Sequence, residues 1–237
     1  MWYYIFNTIF GGIYLKRILL ILLVLSLSLG SLLISVEINS FNKEHYLRNY
    51  KSYNQVEITG KSIEELMGIT DDLILYLKAR AGDEILEPNF NEREVLHMRD
   101  VQVLFRIGYI LKYLSIILSI GIIVYFIKKG QLNILGKYIY RGLFFNWAIL
   151  ILLGLLIYSD FNKYFTYFHY IFFTNDLWLL NPETDLLIQM LPEEFFSSMA
   201  TSIGVSFFTI VAIIQGIGYL LSKKGRANGE KAFKLFI

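Results

Sequence analysis

Phe90-Asn91-Glu92-Arg93-Glu94-Val95-Leu96-His97-Met98-Arg99-Asp100-Val101 is the densest run of polar chemistry in an otherwise apolar chain. Asn91 followed three residues later by Glu94 is the sequence mark of a helix N-terminus. No Pro and no turn cluster lies between Glu92 and Ile127. The stretch therefore predicts one helix of about 35 residues, roughly 50 Å long at 1.5 Å per residue. Its far end is apolar enough to cross a bilayer. Its near end stands above the membrane and carries Arg93, His97 and Asp100 at i, i+4 and i+7, on one face.

The rest of the chain fits a membrane protein. Of 237 residues, 55% are hydrophobic and 16% aromatic, and the mean hydropathy is +0.50. That is too apolar for an ordinary soluble domain. There is no Cys, which excludes disulfides, thiolate nucleophiles and Cys-based metal sites. No internal repeat or low-complexity tract is visible, and nothing calls for a nucleic-acid partner. The fold class expected is an all-α polytopic membrane protein. It has four transmembrane helices, a mainly helical extracytoplasmic insert and an interfacial re-entrant or amphipathic segment.

The spans are expected at 18–36, 107–127, 143–158 and 203–221. The first is long for a signal peptide and lacks an A-x-A cleavage site, so it reads as a retained anchor. The aromatic residues from Met1 to Tyr14, within the N-terminal segment 1–17, suit the interface. Lys16 and Arg17 precede the first span. Lys128, Lys129, Lys137 and Arg141 fill the loop 128–142, and Lys223, Lys224, Arg226, Lys231 and Lys234 lie in the tail 222–237. The positive-inside rule then puts both termini and the middle loop in the cytoplasm. The insert 37–106 and the acidic loop 159–202 lie outside. His97 and His169 therefore share the extracytoplasmic side.

Within the insert, Ser62 with Glu65 predicts a capping box and Gly68 the end of that short helix. Thr70 is expected to cap the next helix, with Leu73, Leu77 and Ala81 on one face and Gly82 at its end. Tyr46, Tyr50 and Tyr53 recur at helical spacing. In the acidic loop, Asn181 before Pro182 predicts an N-cap with Pro at the first helical position. That helix stops before Pro192, which itself opens the fourth span. The aromatic run Phe165 to Phe173 is too short to span and reads as re-entrant or interfacial, holding His169 at the lipid surface.

His97 is the strongest catalytic candidate, because an acid beside an imidazole fixes its tautomer and supports its cation. His169 is the second, and His45, among lysines and tyrosines, reads as structural. No H-x-x-x-H or H-E-x-x-H spacing supports a metal site. There is no G-x-S-x-G, and Ser197, Ser198 and Ser202 read as ordinary small residues at a span's entrance. Gly60-Lys61-Ser62 lacks the upstream Gly of a P-loop.

Two motifs, Glu-Arg-Glu-x-x-His-Met-x-Asp-Val (Glu92 to Val101) and Phe-His…Asn-Asp-x-Trp…Asn-Pro…Asp-x-Leu-Ile (Phe168 to Ile188), lie on a four-span frame. Together they resemble the bacterial lipoprotein intramolecular transacylase family, Lit. The resemblance runs from the first span to the fourth, and the insert from Phe41 to Gly82 adds little to it. It implies a multi-pass protein of the bacterial plasma membrane, working at the outer-leaflet face among membrane lipids. The substrate implied is a lipoprotein whose N-terminal Cys carries a diacylglyceryl thioether. The sn-2 acyl chain moves to the α-amino group of the same Cys, giving a lyso-form lipoprotein, with no external donor or cofactor. On this reading His97, oriented by Asp100 or Glu94, is the main proton-transfer residue and His169 the second. Arg93 or Arg99 steadies the oxyanion, and Asp176, Trp178 and Asp185 of the second motif contact substrate. The alternatives are a phospholipid-dependent acyltransferase or deacylase and a non-enzymatic scaffold that binds lipoproteins.

Overall fold

The computed structural model describes residues 2–234, with side chains from 14 to 223. The aromatic side chains before Tyr14 and the tail cations Lys224, Arg226, Lys231 and Lys234 lie outside the described side chains. In chain order the helices are α1 (Trp2–Ser40), α2 (Lys43–Ser52), α3 (Gln55–Thr59), α4 (Ile63–Leu77), α5 (Glu92–Lys128), α6 (Leu132–Gly142), α7 (Phe144–Ser159), α8 (Phe161–Phe172), α9 (Leu186–Met190) and α10 (Glu193–Lys234). A short 3-10 turn, Asp83–Ile85, sits between α4 and α5. Among the described residues there is no strand. Among the described residues, four stretches are long and apolar enough to cross a membrane: Tyr14–Ser40, Glu92–Lys128, Leu132–Ser159 and Glu193–Lys223.

α5 starts at Glu92 and runs unbroken to Lys128. The third span differs from its expected form. The supposed loop 128–142 is mostly the helix α6, and only Leu143 separates α6 from α7. Leu135, Gly136 and Ile139 recur at helical spacing and are buried on one face of α6. The true turn is Lys129–Gln131, where Gly130 adopts φ 65°.

Two further corrections concern helix ends. Gly68 does not stop a helix and Thr70 does not start one, because α4 runs through both. The Thr70 hydroxyl donates back to the Leu66 carbonyl (2.8 Å) and lies 2.7 Å from the Tyr50 hydroxyl, which keeps it inside the helix. α4 ends instead at Leu77, before Ala81 and Gly82. Asn181 and Pro182 do not open a helix either. The Asn181 side chain accepts from the Glu183 N–H (3.0 Å), and α9 begins only at Leu186, after Asp185. α9 does stop before Pro192, whose carbonyl receives the Phe196 N–H of α10.

The chain divides into two compact units. The first takes the residues through Ile34, then Leu111–Ile151, then those from Val205 onward. Its core is Leu20, Leu23 and Val24 of α1, Ile122 and Phe126 of α5, Leu135 and Ile139 of α6, and Phe207 and Val211 of α10. Polar side chains stitch these helices together: Ser26 with Ser119 (2.8 Å), Asn146 with Ser28 (2.9 Å), and Trp147 with Gln215 (2.8 Å). Each such bond is worth about 0.6–2 kcal/mol between helices in lipid. α6 and α10 approach closely at Gly136 and Gly218. A Cβ on Gly136 would lie 2.6 Å from the Gly218 carbonyl oxygen, so only glycine fits there.

The second unit takes Ser35–Ile110 and Leu152–Gly204. Tyr46 and Tyr50 of α2, Leu66, Leu73 and Tyr76 of α4, Leu86, Phe90, Val95 and Met98 build its core with Leu187, Met190, Phe195 and Met199. The insert and the acidic loop, widely separated in sequence, thus share one apolar centre.

Candidate active site

The site lies wholly within the second unit, on the first turns of α5, on α8 and on the segment 173–185. The start of α5 is fixed by a reciprocal box. The Glu94 N–H donates to Asn91 Oδ1 (3.1 Å), and the Asn91 N–H donates to Glu94 Oε2 (2.7 Å). Glu94 Oε1 also accepts the Leu187 N–H of α9 (2.6 Å), and Asn91 Nδ2 donates to Asp185 Oδ1 (3.0 Å). One buried carboxylate therefore locks two helix starts together.

From that start the helix presents His97. Its ring centroid is 6.2 Å from that of His169, and each histidine is 8% exposed. Phe173 packs edge-on to His97 at 5.4 Å and lies 5.6 Å from His169. Trp178 stacks on His169 at 4.7 Å with an interplanar angle of 24°. Its indole N–H donates to the Asn175 carbonyl (3.0 Å). His169 is carried by α8, whose N-cap Asp160 accepts the Lys163 N–H (3.0 Å). α8 is a helix of 12 residues and takes the amphipathic of the two forms expected there.

The two imidazoles differ in their bonding. His169 Nδ1 lies 2.7 Å from the Phe165 carbonyl oxygen. A carbonyl only accepts, so Nδ1 carries the proton and Nε2 keeps its lone pair. Burial lowers the pKa of His169, against the opposing effect of that backbone bond, which favours the neutral base. His97 Nδ1 is buried with no hydrogen-bond partner in the protein, and so is Arg93 Nε. A buried imidazole nitrogen left open by the fold is one that a bound molecule can use.

The structure sorts the remaining predicted residues. Arg93 Nη2 donates to the Asp176 carbonyl, and the Asp176 carboxylate lies 3.5 Å from it. Asp100 Oδ2 accepts from Asn175 Nδ2 (2.8 Å), so it ties down the segment after α8 and makes no hydrogen bond to His97. Glu94 does not orient His97 either, since both its oxygens serve backbone N–H groups. Arg99 is held away by Asp83, to which Nε (3.0 Å) and Nη2 both donate. Asp185 accepts from the Asn181 N–H (2.8 Å), Thr184 (2.9 Å) and Asn91. Burial pushes its pKa up, but these bonds outweigh burial and hold the carboxyl below the usual range. It is a loop fastener. Sequence reasoning missed Asn175 and Phe173. Both lie inside the second motif, but the partner of one and the ring contacts of the other come only from the tertiary fold. Among the described residues no three His, Asp or Glu side chains gather as a metal site.

The sequence profile described as "Lipoprotein intramolecular transacylase Lit" matches residues 21–196. The chain belongs to the Lit family. It is an acyltransferase of bacterial membranes that carries out intramolecular transacylation on lipoproteins. The fold agrees with that of the membrane-integral Lit from Bacillus cereus, solved in meso. The two share 24% identity over 90% of this chain and 99% of that one, with a TM-score of 0.82. Two variants of that Bacillus cereus protein, with one histidine replaced by arginine or by alanine, also match. They cover 94% and 93% of this chain, each at 24% identity and a TM-score of 0.79. Likeness at that identity speaks for the fold. No match is found among curated proteins.

Proposed function

We propose that this Lit-family transacylase moves the sn-2 acyl chain of a diacylglyceryl-cysteine to the α-amino group of the same cysteine, with His97 and His169 as its proton-transfer pair. The observation that carries this reading is the meeting of two buried imidazoles from distant segments, 6.2 Å apart. The amine nitrogen attacks the ester carbonyl carbon, and a neutral imidazole removes the proton that the nitrogen sheds. The bond from that carbon to the glycerol oxygen then breaks, and an imidazolium protonates the leaving alkoxide. An amide and a free hydroxyl result, and the proton count closes within the pair. Such acid–base help is worth about 10²–10⁴ in rate. Donor and acceptor already share one molecule, so orientation supplies much of the rest.

Arg93 is the candidate to steady the tetrahedral oxyanion through its open Nε. Trp178 holds the His169 ring from one face, and Asp176 keeps Arg93 in place. The charge distribution supports cytoplasmic termini and a cytoplasmic turn at Lys128 and Lys129, with the site-bearing unit at the outer leaflet.

Substrate and product are isomers, so intact mass does not distinguish them. The test is fragmentation of a diacylated lipopeptide before and after incubation with His97→Ala, His169→Ala and the wild type. Each substitution should cut transfer by about 10² or more. Full activity in His97→Ala would end the assignment. The same lipopeptide, supplied without phospholipid, should still be converted. A requirement for added phospholipid would replace this reading with an external donor.

A further inference from the structure

The same unit holds a second polar feature that the acyl-transfer chemistry does not use. The face of α2 and the first turns of α10 border two adjoining hollows of about 280 and 300 Å³ that share Tyr53 and Ser198. His45 lines one of them, 5% exposed, with Nε2 3.1 Å from Ser198 Oγ. That hydroxyl also reaches Asn49 Oδ1 (3.1 Å) and the Phe195 carbonyl (2.9 Å). Arg48 and Glu193 stand exposed on the rim.

The lining limits what can bind. An acyl chain wants aliphatic walls, and among the described residues no aliphatic side chain lines either hollow. A free anion wants surplus positive charge, but Glu193 and Glu194 offset Arg48. A serine nucleophile wants an unengaged hydroxyl, and Ser198 is drawn to two oxygen acceptors. Charges of both signs, with neutral donors and acceptors between them, suit the amides and mixed side chains of an extended peptide.

The hollows also lie within reach of the imidazole pair. The His45 ring touches Phe195 (5.4 Å), Phe195 touches Phe196 (5.3 Å), Phe196 touches Phe165 (4.8 Å), and Phe165 touches His169 (4.5 Å). These steps keep the straight-line separation of the two histidine rings to roughly 20 Å or less, the span of about six extended residues at 3.3–3.6 Å each. The substrate of this family is a lipoprotein, so a polypeptide must lead away from the lipidated cysteine. We propose that this cleft receives the first residues of the substrate polypeptide beyond that cysteine, in extended form. The proposal rests on the acyl-transfer reading above for where the cysteine sits.

Two measurements test it. The first compares kcat/KM for two diacylglyceryl lipopeptides in detergent, one of two residues and one of seven. The longer should be favoured at least tenfold, and Arg48→Ala and Thr201→Trp, both at exposed rim positions, should bring that ratio towards one. The second places a photoreactive benzoylphenylalanine at the fifth residue of the longer peptide and maps the adduct. It should fall on α2 or the start of α10. A wild-type ratio near one, a ratio that survives both substitutions, or adducts elsewhere would overturn the cleft assignment while leaving acyl transfer standing. Adducts on α2 or α10 without any acyl transfer would keep the cleft and sink the reaction instead.

Discussion

Ser62 and Glu65 open α4 by the same device with which Asn91 and Glu94 open α5. In each, a side chain accepts the N–H three residues on, and the glutamate returns the bond to the capping residue. The surroundings then diverge. Glu65 is exposed and its carboxylate serves only its own helix start. Glu94 is 1% exposed, and its second oxygen holds the Leu187 N–H of another helix. One local signature thus does a purely local task at α4. At α5 it anchors the element that carries His97 and ties it to the segment that follows His169.

Truncating both glutamates should separate the two caps by the largest margin. Glu94→Ala removes a buried charged acceptor from two backbone donors, each bond worth about 1.5–3 kcal/mol. A loss near 3 kcal/mol would lower Tm by roughly 6–12 °C for a chain of this size, read by thermal unfolding in micelles. Acyl transfer should fall at least tenfold below that transition, because α5 and α9 lose their shared anchor. Glu65→Ala should leave both readouts close to wild type. Equal shifts in the two variants would show that burial does not separate the two caps.

A pH profile separates residues that hold the fold from residues that move protons. Burial lowers the His169 pKa from 6.5. The sign is that of a depressed folded pKa: the contribution to stability is complete above the unfolded value of 6.5 and is lost as pH falls through the folded value. The base form behaves the same way, and the attacking α-amine, with an ordinary pKa of about 7.7–8.0, must be neutral as well, so log kcat/KM should rise with unit slope through pH 7 and steepen on the acid side at a second turn below 6.5. That limb belongs to the imidazole pair, as interacting groups share their titration. His169→Ala should change its position as well as its height. Glu65→Ala should change neither. A profile already of slope two at pH 7 would contradict the neutral base.

The comparison also shows what sequence could and could not reveal. Both boxes were legible, because a capping residue and a glutamate three positions on are local facts. The length of α5 was legible for the same reason, as nothing between Glu92 and Lys128 breaks it. The false stop at Gly68 arose because glycine is permissive rather than terminating. A Cβ there would meet nothing within 4 Å, and Thr70 satisfies its hydroxyl within the helix. Asn181 looked like a cap, yet its side chain turns the chain five residues before the helix, which Asp185 precedes. The pairings of Arg99 with Asp83 and Asp100 with Asn175 were not legible. A charge pattern gives a residue's appetite for partners, and only the fold selects which partner arrives. Span counting and charge asymmetry, long-range signals the sequence does carry, led only to the expectation that His97 and His169 share a side of the membrane; their shared unit and their approach to 6.2 Å come from the fold.

The smallest effect concerns the far end of the locally governed helix. After α4 the Ala79 N–H donates to the Tyr76 carbonyl (2.8 Å), and the Arg80 N–H donates to the Leu75 carbonyl (3.1 Å). This is the paired pattern of a Schellman end, which needs a left-handed residue between them. Ala79 fills that place at φ 54°, where a Cβ costs about 1–2 kcal/mol. Ala79→Gly relieves that cost, but the freer unfolded chain takes back about 0.4–1 kcal/mol. A net gain of about 0.5 kcal/mol should remain, raising Tm by roughly 1–2 °C. Because Ala79 is exposed, acyl transfer should stay at the wild-type rate. If α4 is governed by its own ends, this gain should add to the loss of about 1 kcal/mol expected from Ser62→Ala. A clear departure from additivity would mean that the two ends of α4 communicate through the core, and the contrast with α5 would then be one of degree.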